Sequence, residues 1–122
     1  RKKTVSDTEI DLSALSDDTK EKIKPIVDLR QEIGLIDTKI AGLKSQQIEL
    51  DERLEDTRKN LKAIKKDKKA TALRQKLNKR LEDFSNEAAK IGRDIVELNS
   101  KRLEKKIELE DLLKDFTVEP KE

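Results

Sequence analysis

The chain has neither cysteine nor histidine. That excludes disulfides, thiolate nucleophiles and the commonest zinc and haem ligands from its 122 residues. Methionine, tryptophan and tyrosine are absent too, and two phenylalanines are the whole aromatic content. Little is therefore available to stack on a nucleobase. Three glycines and two prolines leave few interruptions for a helix. No apolar run approaches the roughly 18 residues that a bilayer-spanning helix needs. Beginning at Arg1 without any methionine, the sequence reads as a segment of a longer protein, with any signal peptide lying outside it. None of this fixes a cellular compartment.

Charge is what the sequence has in abundance: 46% of residues are charged and 33% hydrophobic. Such a composition suits a disordered chain or a long helix, and hydrophobic periodicity decides between them. The net charge of +2 conceals an asymmetry. Arg58 to Arg80 holds eleven Lys and Arg against one Asp, a local +10, which leaves eighteen basic and twenty-six acidic residues, or −8, elsewhere.

In chain order, residues 1–15 form an entry segment in which Thr8, Ile10 and Leu12 alternate with acidic neighbours, the pattern of a short strand. Phe116 and Val118 alternate similarly, so the two ends are expected to pair at a common base. Ser16-Asp17-Asp18-Thr19 is a helix start, with a hydroxyl N-cap and carboxylates at the positive end of the dipole. The short helix of residues 16–24 is expected to break or kink at Pro25, which lacks a backbone donor.

Residues 25–64, arm A, then space Ile26, Leu29, Ile33, Ile36, Ile40, Leu43, Gln47, Leu50, Leu54, Thr57, Leu61 and Ile64 in alternating threes and fours. Residues 71–116, arm B, do the same with Leu77, Leu81, Phe84, Ala88, Ile91, Ile95, Leu98, Arg102, Lys105, Leu109, Leu112 and Phe116. Ten positions of each twelve are apolar, sustained over more than five heptads, which predicts a coiled-coil seam. Continuing arm A's repeat beyond Ile64 places Lys68, Thr71, Gln75 and Asn78 on the seam, all polar. The two repeats are out of phase, and the gap between them is a run of charge.

The expected fold class is therefore all-α: a long antiparallel coiled-coil hairpin with an apex turn at residues 65–70, Asp67 capping arm B, and an exit segment at residues 117–122. Pairing residues whose numbers sum to 138 sets Leu43 opposite Ile95, Leu50 opposite Ala88 and Leu61 opposite Leu77. Two defects disturb this seam. Gln47 faces Ile91, while Arg102 and Lys105 face Ile36 and Ile33. Leu103 and Ile107 nearby suggest that the apolar stripe of arm B rotates there, and long basic side chains can also lay their stems over apolar surface.

Beside the seam, Val27, Gly34, Ala41 and Ile48 share one heptad position of arm A, and Ala89, Val96 and Leu103 share the matching position of arm B. Small and apolar residues there make a groove, with Gly92 between its sides. The helix of residues 16–24 is long enough to cover only its base with Leu15 and Ile23.

Three stretches carry a resemblance: Asn60-Leu61-Lys62-Ala63-Ile64, Leu73-Arg74-Gln75-Lys76-Leu77, and the closing Lys105-Lys106-Ile107-Glu108-Leu109-Glu110-Asp111-Leu112-Leu113. With the long arms, they resemble the C-terminal helical hairpins of a family of large uncharacterised bacterial proteins that have β-rich domains upstream. The likeness runs from Thr8 to Val118. It implies that Thr4–Leu12 is the last strand leaving such a domain, and it brings no functional residues with it.

For function, the sequence offers no cleft, no Gly-rich phosphate loop and no cluster with metal-ligand spacing. An enzyme, a cofactor and a small-molecule substrate are not expected. A structural and oligomerisation module is, associating with itself or with a helical partner through Val27, Gly34, Ala41, Ile48, Ala89, Val96 and Leu103. The alternative is an anionic partner, either nucleic acid or an acidic membrane or protein surface. It would dock on Lys62, Lys65, Lys66, Lys68, Lys69, Arg74, Lys76, Lys79 and Arg80.

Overall fold

The computed structural model describes residues 17–116. Two helices account for nearly all of them: α1 (Asp17–Ala63) and α2 (Thr71–Phe116). They pack against each other across a short turn at residues 64–70, as a helical hairpin requires. No strand occurs among the described residues. The strand expected near Thr8–Leu12 and the alternation at Val118 lie outside them, and Phe116 is the last residue of α2.

The expected division at Pro25 is replaced by one helix running through it. Proline at this position removes the bond to the Glu21 carbonyl. Both Glu21 and Pro25 are exposed, so water can take the freed carbonyl. Ile26 and Leu29, buried immediately after, hold the next turn in helical phase. Asp17 and Asp18 occupy the first turn of α1, where carboxylates complement the dipole.

The chain divides into two compact units, Leu35–Leu103 and the residues on either side of it. In the first, Leu50, Ile91 and Ile95 form a buried cluster, with Leu43, Phe84 and Ala88 packed against it. Ile36, Ile40 and Leu54 are buried along the same stripe of α1. Thr57 completes the stripe as the buried polar residue there, and its hydroxyl donates to the Arg53 carbonyl at 2.7 Å. A helix interior accepts a buried hydroxyl when it can bond back one turn in this way. Leu61, Leu77, Leu81 and Leu98 are half-buried, and Gln47 keeps its place on the stripe, also half-buried.

In the other unit Ile26 and Leu29 are buried, with Ile33, Leu109 and Leu112 half-buried. Lys105 of α2 donates to Glu32 of α1 at 3.0 Å. Within Leu35–Leu103, Arg102 is half-buried and donates from Nε to Asp37. Both basic residues therefore stay on the packing stripe. Rotation toward Leu103 and Ile107 does not occur: those side chains are 59% and 49% exposed. The alkyl stems of Arg and Lys tolerate an apolar surround while their heads reach a carboxylate at the edge.

Candidate interaction surfaces

Helix packing leaves several apolar side chains of Leu35–Leu103 exposed. Ile48, Val96 and Leu103 are 62%, 66% and 59% exposed, and Ala41 and Ala89 are exposed too. Ala89, Gly92, Arg93, Val96 and Glu97 line an open, mainly apolar depression. A Cβ added at Gly92 would meet nothing nearer than the Gln47 amide nitrogen at 3.9 Å. The small residue thus leaves the depression open rather than relieving a clash. Of the two remaining groove residues, both in the other unit, Gly34 is exposed and Val27 is half-buried, so Val27 offers less surface than its spacing suggests.

Leu35, 67% exposed, escaped the sequence reading. It stands one position beyond the groove residues, so the heptad match did not select it. A search for any large apolar residue off the seam would have found it.

The second surface is the apex. Lys65 N donates to Lys62 O at 3.3 Å, Asp67 N to Ile64 O at 3.1 Å, and Ala70 N to Asp67 O at 3.2 Å. The Asp67 carboxylate accepts from Lys69 N at 2.9 Å. Asp67 therefore stabilises the turn and does not cap the second helix. The carbonyl opening α2 is that of Ala70, which accepts from Arg74 N at 2.8 Å. An Asx turn over Lys68 satisfies Asp67 locally, three residues before α2 begins. Ala70 itself is buried under the turn.

Arg74 has a structural task as well. Its Nη1 donates to the carbonyls of Ile64 and Asp67 at 2.9 and 2.7 Å, and its Nη2 to Thr71 Oγ1 at 3.3 Å. The last carbonyls of a helix lack intrahelical donors, and a cation there also suits the dipole. One guanidinium from the first turn of α2 thus ties down the end of α1. Sequence spacing could not show this, because the bond to Ile64 joins residues ten apart on opposite sides of the turn.

Two further members of the basic set are engaged. Lys79 binds Asp83 at 2.7 Å, and that hydrogen bond and charge raise its pKa above the ordinary lysine value. Arg80 lies over the Phe84 ring, 5.5 Å from its centroid. Lys62, Lys65, Lys66, Lys68, Lys69 and Lys76 are exposed to solvent. Arg58, Lys62, Lys65 and Arg74 surround a shallow groove whose other walls are Leu61 and Asn78.

Among the described residues, no group of three or more acidic side chains is placed to hold a metal ion. None of the described helices is long and apolar enough to cross a membrane. Compared with protein-family models, with curated proteins and with solved structures, the chain matches none.

Proposed function

We propose that this chain is a non-enzymatic helical-hairpin module, an antiparallel coiled coil that associates with a second copy of itself through its exposed apolar side chains, serving a larger protein as spacer and oligomerisation element. The antiparallel reading is supported by the order of the contacts between helices. Arg74 reaches Ile64, Leu43 and Leu50 of α1 share one cluster with Phe84, Ala88, Ile91 and Ile95 of α2, and Arg102 reaches Asp37. Later residues of α2 thus meet earlier residues of α1, which is the order an antiparallel pair requires. The coiled-coil reading rests on the three–four spacing of the buried stripe.

The observation that carries the association is the exposure of Ile48, Val96 and Leu103 on a helix pair whose other large apolar side chains mostly face inward. Two helices sharing one seam bury little surface for their length, and a second pair adds burial. Small residues at Ala41, Ala89 and Gly92 let another backbone come close.

Light scattering over a concentration series is expected to show a monomer–dimer equilibrium. Ile48→Glu with Val96→Glu abolishes the dimer and leaves the helical circular dichroism unchanged, because both side chains already face water. A parent protein that stays monomeric at every concentration removes the association. The hairpin has its own test, independent of the dimer. In this cysteine-free chain, spin labels at Ser45→Cys and Arg93→Cys are expected within about 30 Å, given interaxial distances of about 8–10 Å. One uninterrupted helix would separate them by about 70 Å.

A further inference from the structure

The apex has a use that helix pairing does not account for. Its charge is one-sided, and within the turn its single carboxylate, Asp67, is tied to the Lys69 amide. Its backbone is fixed by the Arg74 guanidinium, so the turn presents its lysines from a braced end. Like charges gathered on a braced turn repel one another, and an anionic surface brought against them relieves that repulsion.

We propose that this apex docks end-on against an anionic lipid surface, with Lys62, Lys65, Lys66, Lys68, Lys69 and Lys76 facing the headgroups. Three features favour a bilayer over a nucleic acid. The available cations are mostly lysines, point charges suited to a diffuse negative surface; of the arginines, Arg74 is engaged with backbone carbonyls and Arg80 with a ring, which leaves Arg58. No aromatic residue lies between Arg58 and Arg80 to stack a base. Leu73, 47% exposed, stands among the lysines, an apolar group that a lipid interface accepts and a phosphate backbone does not. Headgroup phosphates have a ready place in the groove between Arg58, Lys62 and Lys65.

The test is co-sedimentation of the 122-residue chain with vesicles of phosphatidylcholine alone and of phosphatidylcholine with 30% phosphatidylserine, at 50, 150 and 500 mM salt. Binding is expected to the anionic vesicles only and to fall steeply with salt. Reversing four turn lysines (K65E, K66E, K68E and K69E) should weaken it by about 600-fold or more, each lysine near a charged surface being worth about fivefold. Neutralising the same four to Gln, which leaves the turn hydrogen bonds in place, gives an intermediate loss, and circular dichroism checks that both variants remain helical. No binding to anionic vesicles at 50 mM salt overturns the proposal, as does equal binding by the parent and the reversed variant. A third arm uses a 30-base-pair duplex and a 30-nucleotide single strand at matched phosphate concentration. Tighter binding to either than to the vesicles reassigns the apex to nucleic acid and overturns the lipid assignment.

Discussion

Within Leu35–Leu103 the same helix stripe is filled in two ways. Around Leu50, Ile91 and Ile95 it is dry: three buried aliphatic side chains with Leu43, Phe84 and Ala88 closing over them. At Arg102 it is wet: a guanidinium takes an apolar position and reaches Asp37 at the helix edge. Heptad spacing is identical in the two places, so spacing alone sets which residues face inward. What differs is the source of the stabilisation. The dry region draws on apolar burial, at about 25 cal/mol per Å2, and on close packing. The wet one draws on an alkyl stem plus an ion pair whose partners remain well exposed, and such pairs contribute about 0–1 kcal/mol. One region holds the helices together, and the other costs little to keep.

The contrast is broken most severely by Leu50→Ala. Leu50 is only 5% exposed, and truncation of a buried leucine removes its transfer energy and leaves a cavity. A loss of about 3 kcal/mol is expected in urea unfolding at fixed protein concentration. A loss below about 1 kcal/mol would mean that the stripe is not the main source of stability.

Arg102→Leu probes the wet side and should have a smaller effect. It exchanges an edge ion pair for apolar contact, so stability is expected to change by less than about 1 kcal/mol in either direction. A large loss would show that the Arg102–Asp37 pair is a principal tie between the helices.

The smallest expected effect is the pH dependence of Lys105. Its hydrogen bond and charge interaction with Glu32 raise its pKa above the ordinary value of 10.5. A lysine whose pKa is higher folded than unfolded adds stability that is complete below the unfolded value and is lost as pH climbs through the folded one. Between pH 9 and pH 12 the melting temperature of the parent should therefore fall slightly more than that of Lys105→Gln. Lys79 titrates with the same sign beside Asp83 in both proteins, so the difference isolates Lys105. Parallel curves would show that the Glu32 contact is not maintained in solution.

Much of the packing stripe could be read in advance. From Ile26 to Ile64 every residue chosen by the three–four spacing is buried or half-buried, and so is every one from Leu77 to Leu112. Even the polar members Gln47, Thr57, Arg102 and Lys105 keep their places, because a helix cannot turn one residue outward without turning its neighbours. The break expected at Pro25 does not occur, because the cost of a helical proline depends on whether the freed carbonyl is wet, a matter of exposure rather than of residue type. The cap expected of Asp67 is likewise absent: a local Asx turn satisfies it before the second helix begins. Of the candidate surfaces, the exposure of Ile48, Val96 and Leu103 followed from the same periodicity, whereas Leu35 lay outside the pattern searched.

The order of apolar residues along the chain determined two helices, the faces they bury and the basic run between them, because a period near 3.5 commits every seventh residue to the same side. Only the tertiary structure decided how the end of α1 is closed, which cations are spent in closing it, and that Arg102 and Lys105 reach carboxylates of the facing helix. Each of those depends on groups far apart in sequence meeting within hydrogen-bond distance, and no local pattern encodes that.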